Sequence, residues 1–500
     1  MPETPIPDNS VTEIKYPVTT RAFGMAIIVL SGLQLMVVLD GTVANLALAP
    51  LQADLGLSDA GRNWVLTSYA LAFGGLMLLG GRLGDAFGRK KMFLAGVVLF
   101  TVASLLCGLA VNEATLVAAR ALQGVGAAVA SPTAFALVAT TFAPGPVRNQ
   151  AIAIYAAMTG VGSIAGLIIG GALTEVSWRW IFLINVPIGV VIVVLAVVSL
   201  QETVGAKLAL DVPGAILATL GCTGVVLALS EGTELGWTNP IVIVSLVAGL
   251  LFLGLFLMVE RRADNPLLPF SLFGSSDRVA TFVAIFFAGG VMFCLAAYVA
   301  LFVQDILGYS PLHAGLAFVP FAFGLGAAAF LASQLVTRIA PRWLILSGAV
   351  IMIGWLMVSV TTMNADSAYF PGLFFPVIGI GFGVGLTVVP LPLCAIAGVS
   401  PTEIGPLTAI ALVAQTLGGP LALAVIGALV TSRTLSLGGT SGPANLMNDL
   451  QLDALSSGYM FALFCCAVCA VIAGAAALFI RFTPQQVAQA QAAQEDAQKS

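Results

Sequence analysis

Fourteen long apolar runs recur along this chain, separated by short polar connectors, and this recurrence decides what it can fold into. A helix needs about 20 apolar residues to cross a hydrocarbon layer roughly 30 Å thick. Inside that layer only helices or closed barrels satisfy their own backbone hydrogen bonds. The runs begin near Ala22, Asn63, Met92, Thr115, Val147 and Ile181, then near Asp211 and Ile241. Six more begin near Val279, Gly315, Trp343, Tyr369, Pro406 and Tyr459. Charged residues make up 8% of the chain and apolar residues 59%, against about 25% charge in a soluble domain. The sequence reads as an all-α polytopic membrane protein with fourteen transmembrane helices, several rich in the small residues that let membrane helices approach closely.

An even number of spans places both termini on one side. Fifteen basic residues fall on that side: Lys15, Arg21, Arg82, Arg89, Lys90, Lys91, Arg148, Lys207, Arg261, Arg262, Arg278, Arg338, Arg342, Arg481 and Lys499. Arg62, Arg179 and Arg433 fall on the other, and Arg120 lies within a span. The positive-inside rule then makes both termini cytoplasmic in a cell (plasma) membrane protein. The net charge of −4 by itself says nothing about nucleic acid; the few Lys and Arg are dispersed rather than clustered, and no nucleic-acid partner is expected. The seven cysteines lie in apolar stretches and read as small hydrophobes, with no external disulfide pair and no metal-ligand spacing. Residues 1–20 are polar and Pro-rich, so no cleavable signal peptide is expected. The connection from Arg433 to Ser457 reads as a partly ordered loop, and the tail from Thr483 as a surface helix or disorder.

Within the first span, LDGTVANLALAP places Asp40 inside the membrane. A charge there costs about 2.5–3.5 kcal/mol on insertion scales, so it needs a partner or a task. Snorkelling to the headgroups is the bland account; against it, roughly 15 Å of helix separates Asp40 from Pro50. The fourth span carries Arg120 at a comparable depth. An Asp40–Arg120 interaction is therefore allowed, either as a coupling device or as a purely structural pair.

The connector after the second span reads GGRLGDAFGRKKM. It resembles the signature loop of the major facilitator superfamily through Gly81, Leu83, Asp85, Gly88, Arg89 and Lys90. The glycines suit a tight turn, and Asp85 with Arg89 suits a charge-assisted latch at the cytoplasmic face. RALQGVGAA in the fourth span is similar to the family's second signature, in Arg120, Gln123, Gly124 and Gly126, whose arginine the resemblance associates with proton coupling. GVGSIAGLIIGGAL in the fifth resembles the exporter signature through Gly162, Gly166, Gly170 and Gly171, with Leu167 where the family has proline. WRWIFLINVPIG (Trp178 to Gly189) and LDGTVAN extend the likeness, though proline falls one place late after LDGTVAN, with Ala49 in its usual position. Together with fourteen spans, these resemble the fourteen-helix drug:proton antiporter branch, the EmrB/QacA-type transporters, over about residues 22 to 481.

The resemblance implies the major facilitator fold: two six-helix bundles, 22–200 and 279–481, with two accessory helices and linkers in 201–278. A cytoplasmic segment, 1–21, precedes them and a cytoplasmic tail, 482–500, follows. It implies proton-coupled export of lipophilic, including cationic, drugs or toxic compounds by alternating access, with Asp40 and Arg120 coupling the proton. Tyr155, Phe286, Phe287, Tyr298, Gln304 and Gln415 are candidate cavity residues. The partners are protons, a lipophilic small molecule and membrane lipids, with no nucleic acid, no obligatory protein partner, no cofactor and no metal. A dedicated exporter of a secondary metabolite, lipid or siderophore is the alternative. An enzyme would need a His, Cys or carboxylate cluster, and a sensor an output domain; neither is evident. GIGFGVG (Gly379–Gly385) lies within a span and reads as helix packing. His313 is expected at an interface, Asp211 as a helix N-cap, and Asp305 and Glu231 as solvated residues at span ends.

Overall fold

The computed structural model describes residues 20–142, 146–202, 211–232, 235–262, 273–336, 338–363, 368–399, 401–487 and 489. Most of the expected N-terminal segment, the connector carrying Lys207 and the greater part of the tail lie outside the described residues. Fourteen helices are long and apolar enough to cross a membrane. They are α1 (Gly24–Leu46), α2 (Asp59–Phe87), α3 (Arg89–Gly108), α4 (Glu113–Val138), α5 (Ala157–Val176), α6 (Trp180–Ser199), α7 (Val212–Glu231), α8 (Pro240–Glu260), α9 (Ser276–Ile306), α10 (Pro311–Leu335), α11 (Pro341–Thr362), α12 (Tyr369–Ala395), α13 (Leu407–Ser436) and α14 (Asp449–Ala477). No strand occurs among the described residues.

Local chemistry sets the helix ends. The Ser58 side chain accepts from Gly61 N at 3.1 Å to start α2, and Asp211 accepts from Gly214 N at 2.9 Å to start α7, as expected of an N-cap. Gly88, at φ 102°, breaks α2 from α3 in a conformation that other residues rarely adopt. The largest departure from the expected boundaries is α14. The polar turn DLQLDALSSG reads as loop, but Asn448 and Gln451 form a reciprocal capping box that starts the helix at Asp449. The external connection therefore shrinks, and it contains a single 3-10 turn, Ala444–Leu446.

Glycines bring the helices together. A Cβ on Gly126 of α4 would stand 2.6 Å from the backbone nitrogen of Phe100 on α3, and Gly96 of α3 faces Gly126 O. The first bundle closes around Leu30, Leu33, Phe93, Phe100 and Phe142. In the second, GIGFGVG lies inside α12, where Gly383 meets Gly348 of α11 and Gly381 meets Phe321 of α10. The bundles meet through named approaches on the side away from the termini. Gly171 of α5 lies against Leu312 of α10, and Gly427 of α13 against Asn63 of α2; Gly74 of α2 meets Thr416 of α13 nearer the middle. Accessory helix α7 sits against this second seam through Trp64, Leu71, Val226 and Ala424. Helix α8 packs on α7 alone in substance, with 11% of its apolar window buried against 67% for α2.

On the side away from the termini, a short helix, Leu48–Leu55, links α1 to α2. Its Asp54 accepts from Trp178 Nε1 at 2.9 Å and from Arg179 Nη1 at 2.8 Å. Arg179, then Trp178, hold the Asp54 carboxyl below the ordinary aspartate value of 3.8. A lowered carboxyl pKa contributes stability that is present above the unfolded value and is lost as pH falls through the folded one. Fluorescence of Trp178 in a single-tryptophan variant should therefore titrate with a midpoint below 3.8, and Asp54→Asn should abolish that transition. Gly126→Val should cost about 1–3 kcal/mol through overpacking, seen as a lower melting temperature and less monodisperse protein in size-exclusion chromatography.

Candidate functional site

The first bundle encloses a charged centre with no water-facing surface. Asp40 of α1 is 2% exposed and Arg120 of α4 is 1% exposed. Arg120 Nη1 donates to Asp40 Oδ2 at 2.7 Å and to Gln123 Oε1 at 2.7 Å, and its Nε donates to the Val65 carbonyl of α2 at 2.9 Å. Asp40 Oδ1 accepts from Gln123 Nε2 at 2.7 Å and from Asn185 Nδ2 of α6 at 2.9 Å. Gln123 Nε2 also donates to Ser104 Oγ of α3 at 2.9 Å. The guanidinium stacks 4.4 Å from the Tyr69 ring centroid and 5.5 Å from that of Phe182, so its faces meet aromatic π-systems while its edge meets oxygen.

Five helices thus contribute to one network, and the sequence motifs explain part of it. Gln123 stands three residues after Arg120, one turn along the same face. The glycines between and beyond them let α4 approach its neighbours: Gly124 lies against Tyr69 and Ala72 of α2. Asn185, Ser104, Tyr69 and Phe182 were not identified as site residues from the sequence. Asn185 carried a signal, because it is an amide within the apolar segment WRWIFLINVPIG.

The signature loop lies at the terminal face. Asp85 Oδ1 accepts from Arg89 Nε at 2.9 Å and pairs with Nη2 at 2.8 Å. Arg89 Nη1 reaches the Ala136 carbonyl of α4 at 3.5 Å. Lys90 Nζ donates to the carbonyls of Val197 and Leu200 at 2.8 and 2.6 Å, capping the end of α6. A Cβ on Gly81 would stand 3.5 Å from Pro132 of α4, and Leu83 packs near Ala215 of α7. The exporter-type glycines line α5 against α1: Gly162 on Val38, Gly166 on Thr42 and Gly170 on Val43, while Gly171 turns to α10. With Leu167 in place of proline, the helix runs unbroken from Pro146 to Val176, and the Leu167 carbonyl faces Gly315 of α10.

The candidate cavity residues separate. Gln415 lines a pocket of about 120 Å³ with Ile285, Ala288, Val388, Leu391, Thr408 and Leu412. Phe286 and Phe287 form an edge-to-face pair at 5.5 Å. Tyr155 is buried 5.9 Å from the Phe135 ring. Tyr298 is buried against Tyr459 at 6.0 Å, and Gln304 donates to the Ala300 carbonyl, so neither lines that pocket. His313 takes part in the Ser310 turn at the start of α10, with Nδ1 2.8 Å from Ser310 Oγ. Asp305, expected in solvent, is half-buried and accepts from the Tyr459 hydroxyl at 2.7 Å. All seven cysteines are free, and no metal-holding group of His, Cys, Asp and Glu occurs among the described residues.

Twelve spans in two bundles, joined by two accessory helices and with an ion pair sealed inside one bundle, define a membrane transporter rather than an enzyme. The chain belongs to the Major Facilitator Superfamily, whose model matches residues 30–423. It is 54% identical over 476 residues to the uncharacterized MFS-type transporter EfpA of Mycobacterium tuberculosis (strain ATCC 25618 / H37Rv), covering 95% of this chain and 90% of that one. It is 38% identical over 455 residues to the puromycin resistance protein pur8 of Streptomyces alboniger, covering 89% of this chain and 88% of that one. A crystal structure of a bacterial homolog to the human lysosomal transporter Spinster has the same fold, at a TM-score of 0.66 and 17% identity, covering 93% of this chain and 97% of that one.

Removing one partner of a buried ion pair leaves an uncompensated charge and costs about 3–5 kcal/mol. Arg120→Met should lower thermal stability by that order in detergent, and adding Asp40→Leu should recover most of the loss. Additive losses in the double variant would show that the two residues are not energetically coupled.

Proposed function

We propose that the chain is a proton-coupled exporter of lipophilic small molecules, including cationic drugs, working by alternating access. The terminal face, which carries the signature loop and most of the basic residues, is cytoplasmic in this reading. Residues 22–200 and 279–481 form the two rocking bundles. The likeness to a puromycin resistance protein over 89% of the chain supports the substrate class. The observation that carries the proton part is Asp40: a carboxylate 2% exposed within a membrane bundle, facing an arginine at 2.7 Å.

The chemistry follows from that geometry. A proton arriving on Asp40 converts the charged pair into a neutral acid beside a cation. Arg120 then relies on Gln123 Oε1, the Val65 carbonyl and the two aromatic rings. Because Asp40 belongs to α1 and Asn185 to α6, loosening the carboxylate changes how these helices are tied to α4. Sealed as it is here, Asp40 exchanges its proton only when the bundles have moved. Asp85 and Arg89 act as a gate element at the cytoplasmic face. The pocket beside Gln415 contributes an apolar subsite with an amide at its edge.

Asp40→Asn keeps shape and hydrogen-bonding capacity but removes the charge. Everted vesicles carrying this variant should show normal insertion and downhill movement of a fluorescent cationic dye, but no uphill accumulation driven by a proton gradient. Full uphill transport by Asp40→Asn would overturn the coupling role.

A further inference from the structure

A second charged cluster lies on the side away from the termini, and it joins the two bundles. Arg62 Nη1 on α2 donates to Gln52 Oε1 at 2.9 Å, pairs with Asp59 Oδ1 at 3.4 Å and reaches the Tyr459 hydroxyl of α14 at 3.5 Å. Tyr459 in turn donates to Asp305 Oδ2 at 2.7 Å. Asp59, Arg62 and Tyr459 are 5%, 3% and 1% exposed. Asp305 belongs to a π-helical turn, Phe302–Ile306, that ends α9. Such turns frequently mark functional positions in helices. Around the cluster, Leu51, Leu57, Val299 and Phe302 belong to one apolar core shared by both bundles.

The charges do not balance. Two carboxylates face one guanidinium: Asp59 and Arg62 are buried and Asp305 is half-buried beside them, so a surplus charge is costly while the gate is closed. One bound proton makes the cluster neutral. Asp59 has both the Gln52 amide, at 3.0 Å, and Arg62 beside it, whereas Asp305 is linked to the cation through Tyr459. The proton therefore belongs on Asp305. When the bundles part, Asp59 and Arg62 leave together as a neutral pair, and Asp305 meets water as a carboxylate. We propose that Asp305 is a proton-binding site built into the gate on this face, so that closing the gate takes up one proton and opening it releases one.

The neighbouring titratable groups leave this count in place. Glu113 lies over Gly61 in the first turn of α4, where the helix N-terminus offsets a negative charge. His313 on α10 is engaged with Ser310. Asp449 and Asp453 of α14 and Arg433 of α13 are exposed, and the Tyr298 hydroxyl is buried and neutral beside Tyr459. Together with the proposed function, which puts this face outside the cell, the site makes the gate respond to external pH: external acid favours the closed gate, while the drive for uphill export stays with Asp40.

The test is a distance measurement that needs no substrate. Spin labels on Val176→Cys and Leu446→Cys, positions 75% and 80% exposed on this face of the two bundles, are followed in nanodiscs by double electron–electron resonance. As pH rises, the open-to-closed ratio should increase by up to about tenfold per unit, the limit for one linked proton. Asp305→Asn should flatten this dependence and hold the gate closed. Asp59→Asn should flatten it too, because either neutralisation leaves the cation balanced by one carboxylate; this second variant carries the test should Asp305→Asn fold poorly. The measurements are made in the Asp40→Asn background, so that the titration proposed for export does not enter the slope and the remaining pH dependence belongs to this gate. A ratio that ignores pH in that background, or a slope that survives when Asp305→Asn or Asp59→Asn is added, would overturn the proposal.

Discussion

The Arg120 guanidinium has no water to turn to, and much of the first bundle is arranged around that fact. A bilayer offers nothing to an ion, so every donor of the arginine must find oxygen or an aromatic face within the protein. Asp40, Gln123 and the Val65 carbonyl meet its edge, and Tyr69 and Phe182 cover its faces. These partners come from α1, α2, α4 and α6, so one side chain fixes the rotation of four helices about their axes. Apolar packing between lipid-like side chains would leave that rotation poorly determined.

The glycines complete what the ion pair begins. Hydrogen bonds spanning several helices at 2.7–2.9 Å require backbones that approach closely, and the small residues of α4 and α5 allow it. Gly126 meets the backbone of α3, Gly124 that of α2, and Gly166 and Gly170 admit Thr42 and Val43 of α1. Electrostatic demand and steric permission thus fall on the same helices. Lys90 adds a tie at the terminal face by capping the end of α6 from the start of α3, so the first bundle is secured at its middle and at one end.

The fold was legible because span length and charge asymmetry are properties of single segments. The Asp40–Arg120 pair was legible as well, since two charges at similar depth in apolar runs leave each other as the natural partner. What surrounds them was harder to see. Asn185 and Ser104 are small polar residues of a kind common in membrane helices, and only the facing of α3 and α6 toward α1 gives them a role. Asp305 misled for a related reason: a carboxylate at a span end looks solvated until the opposing helix supplies Tyr459. Tyr298 shows the reverse case, an aromatic of the kind that lines cavities, which here fills the apolar core between bundles. The polar start of α14 was mistaken for loop because a reciprocal Asn448–Gln451 cap outweighed composition.

The accessory helix α7 makes the two lateral seams between the bundles unequal. Along one seam, α2 and α13 are backed by α7, with Thr219 against Gly75 and Val226 among Trp64, Leu71 and Ala424. Along the other, α5 and α10 face each other with no such backing helix among the described residues. An amphiphile diffusing in the plane of the membrane therefore meets one shuttered flank and one bare flank. A route from lipid to the interior would acquire a handedness that two bundles without α7 would lack.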